Sequence, residues 1–245
     1  KYLGGQILAV DGVLLIGEHG QYPRNEKGQK LYPRREFFEE IVKVFCRTGK
    51  SAPVFCDKHL SLGWDNAKWM YDQAVELRFL LMAGSSLPLT WRMPAYEVPL
   101  NSRIHEAMAI GYGGLEDHGS HALEILPCMV ERRLGGETGV KSVQCLEGED
   151  VWKAADQGRW SLDLLNAALE RIEKKSPGKP RDSATHSAVF LIEYEDGLRG
   201  AVLMLPGFVE EFAFSGRINN DLVSTLFRLG GETSFYGHFS YLTHN

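Results

Sequence analysis

Short apolar runs alternate with helix-spaced segments through residues 1–92, and few folds accept that order. Val10-Asp11-Gly12-Val13-Leu14-Leu15-Ile16-Gly17 is rich in branched residues and ends in glycine. It reads as a strand buried on both faces. A polar loop over 18–33 follows, with Tyr-Pro-Arg at 22–24 and again at 32–34. From Arg34 to Arg47, Phe37, Ile41, Val44 and Phe45 fall on one helical face, and Gly49 supplies a stop. Pro53-Val54-Phe55-Cys56 reads as a second buried strand, Ser61 to Arg78 as a second helix capped by Ser61, and Phe79 to Ala83 as a third strand. Parallel neighbours need crossovers of a dozen or more residues, usually helices. The order strand–helix–strand–helix–strand therefore predicts a parallel sheet with covering helices.

Beyond Pro94 the pattern changes. A strand over Glu106 to Tyr112 leads into a glycine turn and a helix running to Arg133. Val140 to Glu147 is strand-like, Leu162 to Lys174 is an amphipathic helix, and Lys175 to Asp182 is a polar linker. His186 to Tyr194, Arg199 to Pro206 and Glu210 to Gly216 read as successive antiparallel strands, with Glu195-Asp196-Gly197 as the first turn. The expected class is α/β: a partial parallel sheet over 1–92, then an α+β domain over 93–245 with a mostly antiparallel open sheet. A chain of 245 residues suits one large domain or two modest ones.

Charge and composition exclude some functions. The net charge of −5 lacks the basic surface of a general nucleic-acid binder. No apolar run approaches the length of a bilayer span, and the longest, from Ile7 to Gly17, is broken by Asp11. Cys46, Cys56, Cys128 and Cys145 are scattered with no CxxC pair. They read as buried free thiols of a reducing compartment, which places the chain in the cytoplasm. No signal peptide is visible, although the first residue is Lys rather than Met.

The stretch Gly113-Gly114-Leu115-Glu116-Asp117-His118-Gly119-Ser120-His121-Ala122-Leu123-Glu124 carries the strongest chemical signal. On a helix, Asp117 and His121 project from one face. A carboxylate can orient an imidazole and raise its basicity near neutral pH. The bland alternative is a capping pair at a helix start. Cys56-Asp57-Lys58-His59 ends the second strand, and ligands of parallel sheets bind beyond such ends. A lysine there can hold negative charge on an oxygen or lower its own pKa. Its bland alternative is a surface lysine beside Asp57. Glu18 and His19 end the first strand, and Arg92 follows the third. His118 flanks the site a quarter-turn away on ideal geometry. Trp64, Trp69, Trp152 and Trp160 read as core or interface.

Together these pieces resemble the glucose–fructose oxidoreductase and inositol dehydrogenase family. That family pairs a Rossmann domain with an α/β domain whose open sheet helps form the substrate site. Val54 to His59 is similar to its Glu-Lys-Pro motif, and Gly113 to His121 to its Asp-x-x-x-His motif, in the same order and about 60 residues apart. Asp57 and His59 replace the family's Glu and Pro. No GxGxxG fingerprint is present, and Gly111-Tyr112-Gly113-Gly114 does not fit one. The resemblance implies that the chain is a fragment, a partial protein or a divergent member lacking the phosphate-binding front and the final segment. It implies a substrate hydroxyl between Lys58 and His121. His121 would act as base, Asp117 would orient it, and Lys58 would hold the developing charge. The cofactor would be NAD or NADP, contacted by Glu18, His19, Asp57, Lys58 and Arg92. The substrate would be a sugar, polyol or cyclic alcohol. A homodimer or homotetramer would form through the second sheet, with Ala201 to Leu205 as candidates.

Two other readings fit the same residues. A metal-dependent hydrolase, lyase or epimerase could draw ligands from His19, His59, His118, His121 and Glu124. A non-catalytic binding protein could use the same fold.

Overall fold

The computed structural model describes residues 2–3, 6–16, 20–183 and 186–229, apart from the side chains of residues 2, 3, 117 and 183. Two compact units divide the chain, Lys1–Ser85 and Ser86–Asn245. The sequence places the boundary at 92. The structure puts 86–92 in the second unit, because the strand at 91–93 pairs there.

In the first unit, β1 (Tyr2–Leu3) and β2 (Ile7–Leu8) form a small antiparallel ribbon. Then come β3 (Val13–Leu15), α1 (Arg34–Thr48), β4 (Val54–Asp57), α2 (Trp64–Glu76) and β5 (Leu81–Gly84). The sheet order is β3-β4-β5, and both pairings are parallel. The β-α-β-α-β reading holds. Helix α1 ends on Gly49 at φ 64, a conformation that glycine adopts at little cost.

Two details depart from expectation. Helix α1 buries Phe38, Val42 and Phe45, and Phe37 faces solvent, so the packed stripe is rotated from the expected one. Both helices cover the sheet face carrying Leu15, Val54 and Cys56. On the other face, Leu14 and Met82 are exposed and sit in register on either side of Phe55. The strands are thus buried on one face within the described residues, not on two. Ser61 does not cap α2, whose N-cap is Gly63.

The second unit contains β6 (Trp91–Met93), β7 (Ile104–Gly111), a π-turn (Leu115–Gly119), α3 (Ser120–Val130) and β8 (Val140–Glu147). It continues with α4 (Glu149–Asp156), α5 (Leu162–Leu169), a short α6 (Pro180–Ser183), β9 (Ala188–Tyr194), β10 (Arg199–Met204), β11 (Phe212–Ile218) and β12 (Asp221–Arg228). One seven-stranded sheet runs β6-β12-β11-β7-β10-β9-β8. Its one parallel pairing is β10 on β7. The late strands are therefore not three successive antiparallel neighbours. Strand β7 lies between β10 and β11. Strands β6 and β12 and helix α4 are absent from the sequence reading, and α5 stops at Leu169 instead of Lys174.

Both faces are covered at the centre of this sheet, and the edge strand β8 stays exposed. Helix α3 packs Ala122, Ile125, Leu126, Met129 and Val130 on one face. Each larger side chain buried there contributes roughly 1.5–3 kcal/mol. The helix sits so close to β10 that a Cβ on Gly200 would lie 2.5 Å from Leu126 Cδ2. Helices α4 and α5 cover the other face, where Trp152 and Trp160 meet edge-on at 5.9 Å. Trp160 Nε1 donates to the Val151 carbonyl at 3.0 Å, as a buried indole must.

Two expectations fail here for packing reasons. Ala201 to Leu205 are buried centrally under the chain's own helices, so they offer no surface to a second copy. Cys46 and Cys145 are exposed, and only Cys56 is fully buried. No helix among the described residues is long and apolar enough to cross a membrane.

Candidate functional site

The first unit presents a polar group at the carboxyl end of β4. Asp57 is buried, and its Oδ2 lies 3.5 Å from Lys58 Nζ. Burial pushes the neighbouring Cys56 thiol up to about 11, against the pull of Arg34, so it stays protonated and inert. His59 adopts φ 36, in the left-handed region. A non-glycine residue there stores about 1–3 kcal/mol. Proline's ring holds φ near −65°, so the turn after Lys58 cannot be that of a Lys-Pro motif. Arg34, which sequence reasoning passed over, is buried at the start of α1. Its Nη1 lies 3.3 Å from the His59 ring nitrogens, and its guanidinium lies over the Tyr32 ring at 4.7 Å. The second Tyr-Pro-Arg repeat is where that signal sat. Glu18 and His19 lie outside the described residues.

The second unit presents a ring cluster where β7 meets α3. Strand β7 delivers Tyr112. Gly113 turns the chain at φ 78, and the π-turn feeds α3. His118 N donates to the Gly114 carbonyl at 2.8 Å. π-Turns concentrate at functional sites because they re-aim side chains within a helix. Ring centroids stand 5.0 Å apart for Tyr112 and His118, 4.8 Å for Tyr112 and Phe212, 6.3 Å for His118 and His121, and 6.4 Å for His121 and Phe212. His118 thus stands in the same ring cluster as His121, consistent with its expected place on the flank. Asp117 has its backbone in the π-turn, and its side chain lies outside the described residues.

Burial raises the Tyr112 phenol above its ordinary pKa, with Glu210 and Glu211 adding to the shift. Glu124, three residues after His121, is likewise raised by burial and by Glu131. Tyr112 could have been found from sequence, since it directly precedes the glycine pair. Phe212 could not, because it arrives on β11 from a distant part of the chain.

Arg92 belongs to the second unit's sheet and not to the parallel one. It donates to the Thr90 carbonyl, pairs with Glu97 at 3.3 Å and stacks over Phe227 at 4.3 Å. No group of three or more His, Cys, Asp or Glu residues that could hold a metal ion occurs among the described residues.

Gly113 is a sensitive point in the ring cluster. A Cβ there would lie 2.4 Å from His118 Nδ1, at a φ that side chains rarely adopt. Gly113→Ala should cost about 1–3 kcal/mol and swing the His118 imidazole. Urea melts and the histidine ring NMR signals check this. Unchanged ring shifts would show that His118 does not rest on Gly113.

No known family model matches the chain, and no curated protein matches it by sequence. Solved structures do match. GenD2 from gentamicin A biosynthesis, solved in complex with NAD, aligns at a TM-score of 0.52 and 14% identity over 93% of this chain and 59% of its own. Biliverdin reductase from Synechocystis sp. PCC 6803, in complex with biliverdin and NADP+, aligns at 0.46 and 13% over 90% and 61%. Myo-inositol 2-dehydrogenase from Lactobacillus plantarum aligns at 0.45 and 10% over 89% and 57%. The chain thus spans less than two thirds of the length of each of these structures. At such identities the likeness is one of fold, and the match to the first structure carries it.

Proposed function

We propose that this chain is the substrate-handling part of an NAD(P)-dependent oxidoreductase acting on a hydroxyl of a sugar, polyol or related cyclic alcohol. The observation that carries this reading is the His121 imidazole at the head of α3, walled by His118 and Phe212, with Tyr112 against both of those rings. Support comes from Lys58 and Asp57 at the carboxyl end of a parallel strand, and from the fold shared with an NAD complex.

The donor set fits one end of such a cofactor. Asp57 and Lys58 supply a carboxylate and an ammonium suited to the nicotinamide riboside end. Residues 1–85 hold no GxGxxG loop for the pyrophosphate. When bound, the cofactor supplies the hydride acceptor.

The chain's own residues do the rest. His121 takes the proton of the substrate hydroxyl, and Asp117 raises the basicity of its ring. The Lys58 ammonium offsets the negative charge that grows on the oxygen. The rings of Tyr112, His118 and Phe212 keep water from the His121 imidazole, which strengthens its polar interactions. The proposed compartment is the cytoplasm.

Titration of the purified chain with NAD(H) and NADP(H), followed by nicotinamide fluorescence, tests the reading. Binding of neither would overturn it. With a turned-over polyol in hand, His121→Asn should lower kcat by about 10²–10⁴-fold and remove the acidic limb of the pH profile. Lys58→Met should fall in the same range. If both serve one step, the double variant loses less than the product of the single losses.

A further inference from the structure

We propose that the cleft between β6 and the C-terminal end of α3 binds a small organic carboxylate with a flat apolar body. The cleft has a volume of about 670 Å³ and is lined by residues of the second unit alone. That size is ordinary for a small-molecule site, which combines apolar walls with a few convergent polar groups.

Two arginines supply the polar groups. The Arg92 side chain is more than nine-tenths buried. Its Nη1 meets the Thr90 carbonyl and its Nη2 meets Glu97, but its buried Nε finds no acceptor among the described residues. That Nε is closed to the cleft, so Arg92 acts through its charge and terminal nitrogens, and packing on Phe227 holds the guanidinium in place. Arg132 donates through Nε to the Val98 carbonyl. Its two terminal nitrogens meet no acceptor among the described residues. A guanidinium presents five donors in a fixed fork that matches a carboxylate.

The walls select the body of the ligand. Trp91 is 70% exposed on the cleft's edge, an unusual place for a large indole. Tyr96 is half-buried beside it, and Cys128 stays a neutral thiol because burial pushes it up to about 12. Glu97 sits on the rim and disfavours a dianion, so a monocarboxylate fits better than a phosphate. The cleft is separate from the ring cluster. Cys128 follows His121 by seven residues on α3, about 10 Å along the axis.

Isothermal titration of the whole chain with phenylacetate tests this, with phenylacetamide as the neutral isostere. Phenylacetate should bind saturably with a Kd of about 1 mM, and the amide at least tenfold more weakly. Arg132→Gln and Trp91→Ala change partly exposed side chains, so both should fold, as circular dichroism will verify, and each should lose tenfold or more. Equal binding of acid and amide, no binding of either, or unchanged binding in both variants overturns the proposal.

Discussion

Phe212→Ala should lower the stability of the second unit by about 3–5 kcal/mol. Phe212 is 1% exposed and belongs to the core beneath α3. It also touches the candidate site, because its ring lies against Tyr112 and faces His121. The packing there leaves no slack. A Cβ on Gly111 would come within 2.7 Å of the Phe212 ring. Truncation to alanine removes a full aromatic ring from a site that its neighbours can only partly refill, so both the transfer and cavity terms apply. Phe212→Leu keeps most of the volume and should cost less than about 1.5 kcal/mol. Urea unfolding followed by tryptophan fluorescence measures both. A loss below 1 kcal/mol for the alanine variant would show that the ring is not a core element. Activity in Phe212→Leu then separates stability from site geometry: a fall in turnover without a fall in stability assigns the ring a role in walling His121.

Asp196→Asn should cost about 1–2 kcal/mol at neutral pH, because Arg133 is buried while Asp196 is open to solvent, which screens the pair. Arg133 is buried and stacks over Tyr194 at 4.7 Å. Its Nε donates to Asp196 Oδ2 at 2.7 Å, Nη1 to the Val130 carbonyl at 3.0 Å, and Nη2 to Thr138 Oγ1 at 2.8 Å. Asp196 is the one carboxylate in that set. Without it, the buried guanidinium keeps its charge and loses its counterion, and water at the exposed Asp196 side offsets part of that cost. The hydrogen bond from Arg133 holds the Asp196 carboxyl below its ordinary value, and the Leu198 N–H helps. A carboxyl depressed in the folded state contributes stability above its unfolded pKa, and that contribution is lost as pH falls through the folded value. The gap between the parent chain and Asp196→Asn should therefore be full at pH 7 and shrink below about pH 4. A gap that stays constant from pH 7 to pH 2.5 would show that the ion pair contributes nothing.

The same hairpin illustrates how far the sequence reaches. Glu195-Asp196-Gly197 marks a turn by residue type alone, and Gly197 takes φ 85 there. That Asp196 also neutralises an arginine at the end of α3 follows only from the fold. The candidate site divides in the same way. The glycine pair and the Asp–His spacing are local, so the segment at 113–124 could be singled out. The π-turn was not legible, because it depends on how β7 hands the chain to α3. Nor was the strain at His59, since a positive φ at histidine has no residue signature.

Local periodicity by itself determined the parallel β-α-β-α-β order of the first unit and most of the helices and strands of the second. Such periods depend on neighbours a few residues away. The tertiary structure decided the rest. It placed β7 between β10 and β11, left one face of the parallel sheet bare among the described residues, covered Ala201 to Leu205 on both sides and brought Phe212 to His121. These outcomes turn on which distant surfaces find each other. Strand pairing and face burial are chosen by the total packing free energy of the unit, which no single stretch of residues carries.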